Sequence, residues 1–401
     1  MQPHIRPSAP LDGLRVALVH DWLTGMRGGE KCLEVLCQSF PTAPLYTLIH
    51  RRGALSPTIE AMAIQTSPLQ KIPGVARHYR KLLPLMPLAA KTWRIKDVDL
   101  VISLSHCVAK SVRVPQGVPH VCYCFTPMRY AWDGRDAYLA SWRGRPFRQA
   151  AAGALLDRLR AWDKTSADGV SHFVAISQTV RDRIASCYER ESHVIQPPVD
   201  TLYYSPIDIE RESFYLCVSA LVPYKRIDQA VEACTATGRR LVIIGTGPQR
   251  DQLERRAGPT VSFLGWQSDE VVRDHFRRCR ALIFPGEEDF GIVPIEALAC
   301  KTPVIALGRG GAAETIDDTV GAIYPDPTTE SLVHALDWWE ASGMPHHPAE
   351  ARRKAEALAL PLFRERLLSF LGEVVRKRIT QYSLPAPHLD RSTNVRAPRE
   401  V

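Results

Sequence analysis

The sequence predicts an α/β protein built of two Rossmann-like, doubly wound domains. Strand-length apolar runs alternate with helical segments, and this alternation begins again after a proline-rich stretch near the middle of the chain. A length of 401 residues also exceeds what one ordinary hydrophobic core requires. Open parallel sheets bind ligands at the carboxyl ends of their strands, so we expect the functional residues there.

The first half opens with a predicted strand over Arg15–Leu23, after which a glycine-bearing turn, TGMRGG, leads into a helix beginning near Glu30. Two later apolar runs, VDLVISLS and PHVCYCF, are typical of buried parallel strands. The run HFVAISQTVRDRI predicts one more strand and a helix whose N-cap is Ser177. We therefore predict an N-terminal Rossmann-like domain over residues 1–195.

The second half repeats this pattern. A polar, proline-rich stretch over residues 196–213 predicts an interdomain linker. Five apolar runs follow, namely FYLCVSAL, RLVIIGTG, VSFLGW, ALIFPG and PVIAL. They predict a C-terminal Rossmann-like domain over 214–358. We further predict a helix at 359–379 that packs back toward the N-terminal domain, and a disordered tail at 380–401.

Charge is distributed unevenly along the chain. The net charge is +8, with 26 Lys and Arg against 16 Asp and Glu in residues 1–200, and 25 against 27 in the remainder. A basic half suggests an anionic partner: a phospholipid surface, a diphosphate-linked acceptor or nucleic acid. Only the charge favours nucleic acid, so we do not expect it. The basic, Leu/Met-rich segment 74–94 is consistent with an anionic membrane surface and equally with ordinary helices that have solvated basic faces.

Neither a membrane span nor a signal peptide is indicated. No stretch approaches the roughly 18 uncharged apolar residues that a spanning helix needs, and the first residues lack a signal peptide's apolar core. We expect a cytoplasmic protein, either free or bound peripherally to the inner face of the membrane. The ten cysteines are scattered without zinc-ligand spacing, which indicates reduced core residues and no structural metal.

The strongest functional pattern is EDFGIVPIEALACKTPVIA, which begins at Glu288. Glu288 and Glu296 stand eight positions apart, and Pro294 suits the first turn of a helix. The free N–H groups of such a helix favour a diphosphate, and Gly291 would let the backbone approach a ligand closely. Two carboxylates here can hydrogen-bond two sets of hydroxyls, such as those of a hexose and a ribose. An acidic first helical turn without any ligand is the alternative.

This stretch resembles the E-x7-E signature of the family-4 retaining glycosyltransferases, which have the GT-B fold. Other segments agree in order along the chain: GGEK, SLSHCVAKSV, TPMRYAWD, LVPYKRID, VIIGTGPQRDQLE, FLGW and GGAAETI. Together they resemble the bacterial O-antigen mannosyltransferase branch. The resemblance implies two Rossmann-like domains facing each other across a cleft, an N-terminal acceptor domain and a C-terminal domain that holds a nucleotide-sugar donor.

The resemblance also implies roles for individual residues. Glu288 would contact hydroxyls of the donor sugar, Glu296 would contact the nucleotide ribose, and Lys225 would neutralise the diphosphate. The implied donor-binding set further contains Gly28, Gly29, Arg226, Gly245, Phe290, Gly291, Ile292 and Val293. A plain tight turn remains the alternative reading of the glycine pair in the N-terminal domain.

Two positions depart from the pattern of the relatives. Ser219-Ala220 stands where many of them have Gly-Arg, so one of two usual phosphate cations is missing, and Arg226 either compensates or lies on the surface. Phe125 occupies a strand end where relatives often carry a histidine near the sugar. His106, on the preceding loop, either contributes instead as a catalytic residue or is incidental.

The function that this resemblance implies is retaining transfer of a hexose, best mannose from GDP-mannose, to a lipid-linked saccharide in cell-surface polysaccharide synthesis, as in lipopolysaccharide. No cofactor is expected, and the lack of an Asp-x-Asp motif predicts metal-independent catalysis. Two rival hypotheses are a nucleotide-sugar epimerase of the same fold and a non-catalytic sugar-nucleotide-binding protein. A dehydrogenase is disfavoured because IIGTGPQ is not a full dinucleotide fingerprint.

Overall fold

A computed structural model describes residues 11–140, 144 and 146–383, without the side chains of residues 137, 138, 140 and 379–383. Two separate parallel sheets lie one after the other along the chain, and helices cover their faces. The predicted fold class is therefore confirmed. All ten cysteines are buried and free, as expected for small core residues.

The N-terminal sheet contains seven parallel strands in the order β3-β2-β1-β4-β5-β6-β7. They are β1 (Val16–His20), β2 (Pro44–Thr47), β3 (Ala63–Thr66), β4 (Leu100–Ser105), β5 (His120–Cys124), β6 (His172–Ala175) and β7 (Ser192–Val194). The sequence predicted β1, β4, β5 and β6. The first strand is shorter than predicted and ends at His20, because the next residue, Asp21, turns inward to bind a neighbouring loop.

The helices of this half are α1 (Gly28–Ser39), α2 (Pro57–Glu60), α3 (Val75–His78), α4 (Met86–Ala90), α5 (Arg135–Ala140), α6 (Pro146–Ser166) and α7 (Gln178–Tyr188). The first of them starts at Gly28, slightly before the predicted Glu30. Ser177 is the N-cap of α7, as predicted, and its hydroxyl accepts a hydrogen bond from the Val180 N–H at 3.0 Å. Within segment 74–94, prolines at positions 84 and 87 divide the chain into short helical pieces.

The C-terminal sheet contains six parallel strands in the order β10-β9-β8-β11-β12-β13. They are β8 (Phe214–Val218), β9 (Arg240–Ile244), β10 (Val261–Gly265), β11 (Ala281–Phe284), β12 (Val304–Leu307) and β13 (Gly321–Tyr324). The helices are α8 (Ile227–Thr237), α9 (Arg250–Arg256), α10 (Asp269–Arg278), α11 (Ile292–Ala299), α12 (Thr329–Ala341), α13 (Pro348–Glu356) and α14 (Leu360–Ser383). The predicted apolar runs coincide with the first five of these strands.

Helix α14 returns to the N-terminal domain. The ring of Phe363 contacts that of Tyr123 with centroids 5.8 Å apart, and Arg378 donates to the carbonyl of Asp99 at 2.8 Å. The helix begins one residue after the predicted start and extends to Ser383, into the stretch predicted as a tail. Residues 384–401 of that tail lie outside the described residues.

Each sheet has one place where its strand order reverses. In the N-terminal sheet the reversal lies between β1 and β4, and in the C-terminal sheet it lies between β8 and β11. The loops that follow two such strands run to opposite faces of the sheet, which opens a crevice at its carboxyl edge. The fold therefore contains two crevices suited to ligands, and the predicted site residues can be located relative to them.

Candidate functional site

The crevice between β8 and β11, called here the C-terminal crevice, contains two of the predicted side chains. Lys225 ends a short 3-10 helix, Pro223–Lys225, that follows β8, and Glu288 lies on the loop after β11. Their ammonium and carboxylate groups form an ion pair, with 15% and 21% of the side chains exposed. The Nζ of Lys225 also lies 5.2 Å from the centre of the Tyr224 ring. The fold thus brings a cation and a carboxylate together at the point where a doubly wound sheet binds its ligand.

Glu296, the second carboxylate of the motif, lies in α11 and is buried. Its carboxylate forms an ion pair of 3.0 Å with Lys31, which comes from α1 of the other domain. Burial raises the pKa of Glu296, and the nearby Lys31 offsets only part of that rise. Lys31 also faces the Tyr204 ring, with its Nζ 5.7 Å from the ring centre. In this closed arrangement the two domains meet through a partly buried charge pair, directly at the predicted ribose carboxylate.

The residues between the two glutamates join the loop to α11. Gly291 precedes the helix with a φ of 86°, and no side chain caps the helix N-terminus. Phe290 is buried, so its side chain belongs to the core, while Ile292 and Val293 pack against that core. Only the backbone of this stretch is therefore suited to the ligand contact predicted for it.

Gly28 and Gly29 lie at the N-terminus of α1, opposite α11. A Cβ atom at Gly28 would come within 3.0 Å of Cδ1 of Ile292, and one at Gly29 would come within 3.1 Å of the Phe125 ring. A side chain at Gly28 would require the flexible end of Ile292 to move, and one at Gly29 would require the Phe125 ring to shift by a few tenths of an ångström. The glycine pair thus lies on the cleft, in close contact with side chains across it.

Arg226 and Gly245 have local structural roles. Arg226 adopts a φ of 51° at the start of α8, and its Nε lies 3.5 Å from a carboxylate oxygen of Asp228 in the same helix. Gly245 follows β9 with a φ of 141°, and a Cβ there would lie 1.8 Å from the Ser219 carbonyl oxygen. Donor contact by either residue remains a prediction.

Asp289, which follows Glu288, is bound by two arginines of the N-terminal domain. Its carboxylate accepts a hydrogen bond from Nε of Arg129 at 3.1 Å, forms an ion pair with Nη2 of the same residue at 2.7 Å, and pairs with Arg183. The hydroxyl of Ser177 donates to the Asp289 carbonyl at 2.5 Å. We call this group the Asp289 clamp. It fixes the loop that carries Glu288 against the other domain.

The crevice between β1 and β4, called here the N-terminal crevice, holds His106. Nδ1 of His106 lies 3.2 Å from Asp21, whose carboxylate also accepts the backbone N–H groups of residues 106–109 at 2.7, 2.9, 2.6 and 2.7 Å. The Phe125 ring lies between two histidines, with its centroid 6.3 Å from that of His20 and 6.2 Å from that of His106. His106 is thus held in a fixed orientation at the cleft.

Sequence reasoning missed Asp21, Lys31, Arg129 and Asp289 as site residues. Each could have been recognised from sequence, because Asp21 directly follows an apolar strand run and the other three lie inside the motifs GGEK, TPMRYAWD and EDFG.

Within the part of the chain that the structure describes, no group of three His, Cys, Asp or Glu side chains could hold a metal ion. Among the same residues, no helix has the length and apolar character needed to cross a bilayer.

Comparison with known protein families and sequences gives a match to the C-terminal domain. Residues 206–357 match the family model of the glycosyl transferases group 1. A GDP-mannose-dependent alpha-(1-6)-phosphatidylinositol dimannoside mannosyltransferase of Mycobacterium tuberculosis is 32% identical over 156 residues, which are 37% of this chain and 41% of that protein. The O-antigen chain mannosyltransferase RfbU of Salmonella typhimurium is 29% identical over 178 residues, 42% of this chain and 50% of that protein. The chain thus matches half or less of the length of these relatives.

Solved structures match almost the whole chain. The lipopolysaccharide outer core galactosyltransferase WaaB has a TM-score of 0.62 at 16% identity, covering 91% of this chain and 100% of its own. The sucrose-phosphate synthase of Thermosynechococcus elongatus has a TM-score of 0.65 at 16% identity, covering 92% and 100%. At such low identity these similarities establish the fold, which is GT-B.

Proposed function

We propose that the whole protein is a retaining hexosyltransferase, from the premise that residues 206–357 match the family model of the glycosyl transferases group 1 and that the chain has the GT-B fold. The donor is a nucleotide sugar, best GDP-mannose, and the acceptor is a lipid-linked saccharide of cell-surface polysaccharide synthesis. Relatives named as mannosyltransferases that act on a phosphatidylinositol dimannoside or an O-antigen chain support this choice.

The observation that carries the proposal is the pairing of Lys225 with Glu288 at the C-terminal crevice, beside the N-terminus of α11. A donor diphosphate there would meet an ammonium group and free backbone N–H groups. Glu288 would turn to the sugar hydroxyls and Glu296 to the ribose. Glu288 pairs with Lys225 and Glu296 pairs with Lys31, so donor binding would replace each carboxylate's ion pair with hydrogen bonds from hydroxyl groups.

In the proposed transfer step, the donor and the acceptor supply every bond, electron pair and proton that changes. The acceptor hydroxyl oxygen forms a bond to the anomeric carbon, and the bond between that carbon and the donor diphosphate breaks. The diphosphate leaves with the electron pair and takes the hydroxyl proton on the same face, so the anomeric configuration is retained. Lys225 and the α11 N-terminus would stabilise the charge that develops on the leaving group as preorganised electrostatics. No metal or cofactor is required in this proposal.

We also propose that the N-terminal domain binds an anionic membrane surface reversibly. Leu85 and Leu88 are 46% and 62% exposed, within the basic segment 74–94. Exposed leucines among basic side chains favour an anionic lipid interface, at about 1 kcal/mol per basic group near the surface. Sedimentation with anionic vesicles should show binding that weakens at high salt. Equal binding to neutral vesicles would contradict the proposal.

Binding of a nucleoside diphosphate tests the donor assignment first. GDP at about 100 times its dissociation constant should stabilise the fold by about 2.7 kcal/mol, seen as a rise in Tm, and UDP or ADP should do less. Transfer from GDP-mannose to lipid-linked saccharides is then followed, and NMR of the product shows whether the anomeric configuration is retained. Nucleotide binding without any transfer would favour the non-catalytic alternative, and interconversion of the free donor would favour the epimerase.

A further inference from the structure

The N-terminal domain contains a cavity of about 450 Å³, which is within the size range of small-molecule sites. Its wall comes from two loops, residues 93–97 before β4 and residues 113–115 before β5. These strands are parallel neighbours, so the chain enters both from the same edge of the sheet. The two crevices described above lie at the opposite, carboxyl edge, and none of the residues assigned to them lines this cavity. The cavity is therefore a separate candidate site.

Three cations in the cavity wall have no carboxylate partner. Arg94, Lys96 and Arg113 are exposed, and none of them forms an ion pair within the described part of the chain. A carboxylate is present close by in the sequence, at Asp99, but it pairs with Arg15 at 3.0 Å instead. The three charges thus remain available to an anion that enters the cavity.

Asp97 is the acidic member of this wall. The pKa of Arg15 is raised mainly by its hydrogen bond to Asp99, and the charge of Asp97 adds to this rise, so Asp97 is directed in part toward Arg15. Its backbone has a φ of 53°, a conformation that Asn and Asp adopt more readily than most residues. With three cations and one carboxylate, the wall keeps a net charge of +2.

The indole of Trp93 adds a buried hydrogen-bond donor to the same wall. Trp93 is only 4% exposed, and its Nε1 has no hydrogen-bond partner among the described residues. The ring contacts that of Tyr46 on β2, with centroids 6.5 Å apart, and the Tyr46 hydroxyl donates to the carbonyl of Arg94 at 3.5 Å. A buried donor without an acceptor is rare and costs free energy. An oxygen atom of an anion bound in the cavity would supply the acceptor.

We propose that this cavity binds a phosphate group, carried either by a lipid headgroup or by a free phosphate ester. The guanidinium groups of Arg94 and Arg113 match phosphate oxygens in shape, and Lys96 adds a point charge. The Trp93 N–H would donate to one more phosphate oxygen. The rest of the wall is apolar and suits the organic part of the ligand, and it consists of Ile95, Val114 and Pro115. This inference does not depend on the proposed transferase function.

The two sources of phosphate differ in whether a bilayer is needed. Trp93 and Arg94 end the basic segment 74–94, in which Leu85 and Leu88 are exposed. A lipid phosphate in the cavity would keep these leucines close to the same membrane. A free ester would bind without any membrane. Glycerol 3-phosphate is therefore the free probe, and phosphatidic acid in phosphatidylcholine vesicles presents the same phosphate monoester on a lipid.

Titration calorimetry of the full chain with glycerol 3-phosphate measures the site directly. Arg94→Gln, Lys96→Gln and Arg113→Gln should each weaken binding by about tenfold, the loss typical of one charge-assisted hydrogen bond. Trp93→Phe keeps an aromatic ring, removes the N–H and should weaken binding by a similar factor. Asp97→Asn should strengthen binding by about two- to fivefold, because it removes a repelling carboxylate and Asn accepts the positive φ.

Two variants serve as controls and should bind as wild type. Lys91→Gln removes an exposed lysine of the same segment that does not line the cavity. Lys225→Ala removes the cation of the C-terminal crevice, so unchanged binding in this variant shows that the probe does not bind there. Tm is measured for each variant, and the exposed Lys96→Gln and Arg113→Gln test the site even if Trp93→Phe unfolds.

Four results would overturn the inference: no saturable binding of glycerol 3-phosphate, loss of binding in Lys225→Ala but not in Arg113→Gln, an equal loss in Lys91→Gln, or weaker binding in Asp97→Asn. The vesicle measurement then identifies the source. Tighter sedimentation with phosphatidic acid than with phosphatidylglycerol vesicles of equal charge, weakened by Arg113→Gln, would assign the site to a lipid headgroup. Binding of glycerol 3-phosphate without that vesicle preference would assign it to a free ester.

Discussion

Replacement of Asp289 by Asn tests whether closure of the two domains positions Glu288. The carboxylate of Asp289 pairs with Arg129 at 2.7 Å and with Arg183, and only 17% of the Asp289 side chain is exposed. Asparagine keeps the size and one acceptor oxygen but loses the charge that both arginines face. The domains would still meet through the pair of Lys31 with Glu296. The closed arrangement should therefore weaken without disruption of either domain.

The expected magnitude follows from the burial of the clamp. Removing one partner of a fully buried ion pair costs about 3–5 kcal/mol, and a hydrogen bond to a charged group contributes about 1.5–3 kcal/mol. The clamp is partly exposed, and Arg183 retains a second partner, Asp133, at 2.8 Å. We therefore expect the closed state to lose about 2–3 kcal/mol relative to the open state, which is roughly 30- to 150-fold in the closure equilibrium.

Small-angle scattering and kinetics measure this change together. Asp289→Asn should increase the radius of gyration and lower kcat/KM for transfer by at least about tenfold. GDP affinity should change little, since the predicted nucleotide contacts lie mainly in the C-terminal domain. Glu287→Gln is the matched control on the same loop, because Glu287 is 49% exposed and lies 3.6 Å from Arg183. Wild-type scattering and kcat/KM in Asp289→Asn would refute the positioning argument.

Three further outcomes are expected. Lys225→Ala should lose about 30- to 150-fold in kcat/KM, the upper part of the range for a hydrogen bond to a charged group. Arg226→Ala should lose much less, because the Arg226 side chain faces Asp228. A larger loss in Arg226→Ala would show that the motif has been assigned in the wrong register. Glu288→Gln should mainly lower kcat and Glu296→Gln should mainly weaken GDP binding, so near-wild-type kinetics in both folded variants would contradict their assignment. Burial lowers the pKa of His120 to about 4, whereas the unfolded chain should titrate near 6.5. Between these values only the unfolded state takes up the proton. The free energy of unfolding should therefore be independent of this group above pH 6.5 and should fall by about 1.4 kcal/mol per pH unit as the pH drops toward 4. Urea unfolding of His120→Gln should show a shallower decline over this range, and an unchanged pH slope would contradict the assignment.

The interior strands were predicted from sequence with the exception of β2, and of the four edge strands only β10 was predicted. Strands β1, β4, β5 and β8 are buried on both faces, and such strands are near-continuous apolar runs that a sequence displays directly. Strand β3 is mostly exposed and β7 is only partly buried, so neither has a distinctive pattern. A strand at a sheet edge has one neighbour only, and its burial depends on what the rest of the fold places beside it.

The sequence by itself determined the fold class, the restart of the pattern at a second sheet, and the placing of Glu288 and Glu296 around a helix start. These follow from apolar periodicity and from helix-start signals, which are local properties of the chain.

Only the tertiary structure decided which charges meet. Lys31 reaches Glu296 over 265 positions of sequence, and Arg129 reaches Asp289 over 160. Such pairs arise when the carboxyl edges of two independently formed sheets are brought face to face. The sequence around either partner does not predict that the two side chains will meet, because the distance between them in space is set by the packing of whole domains.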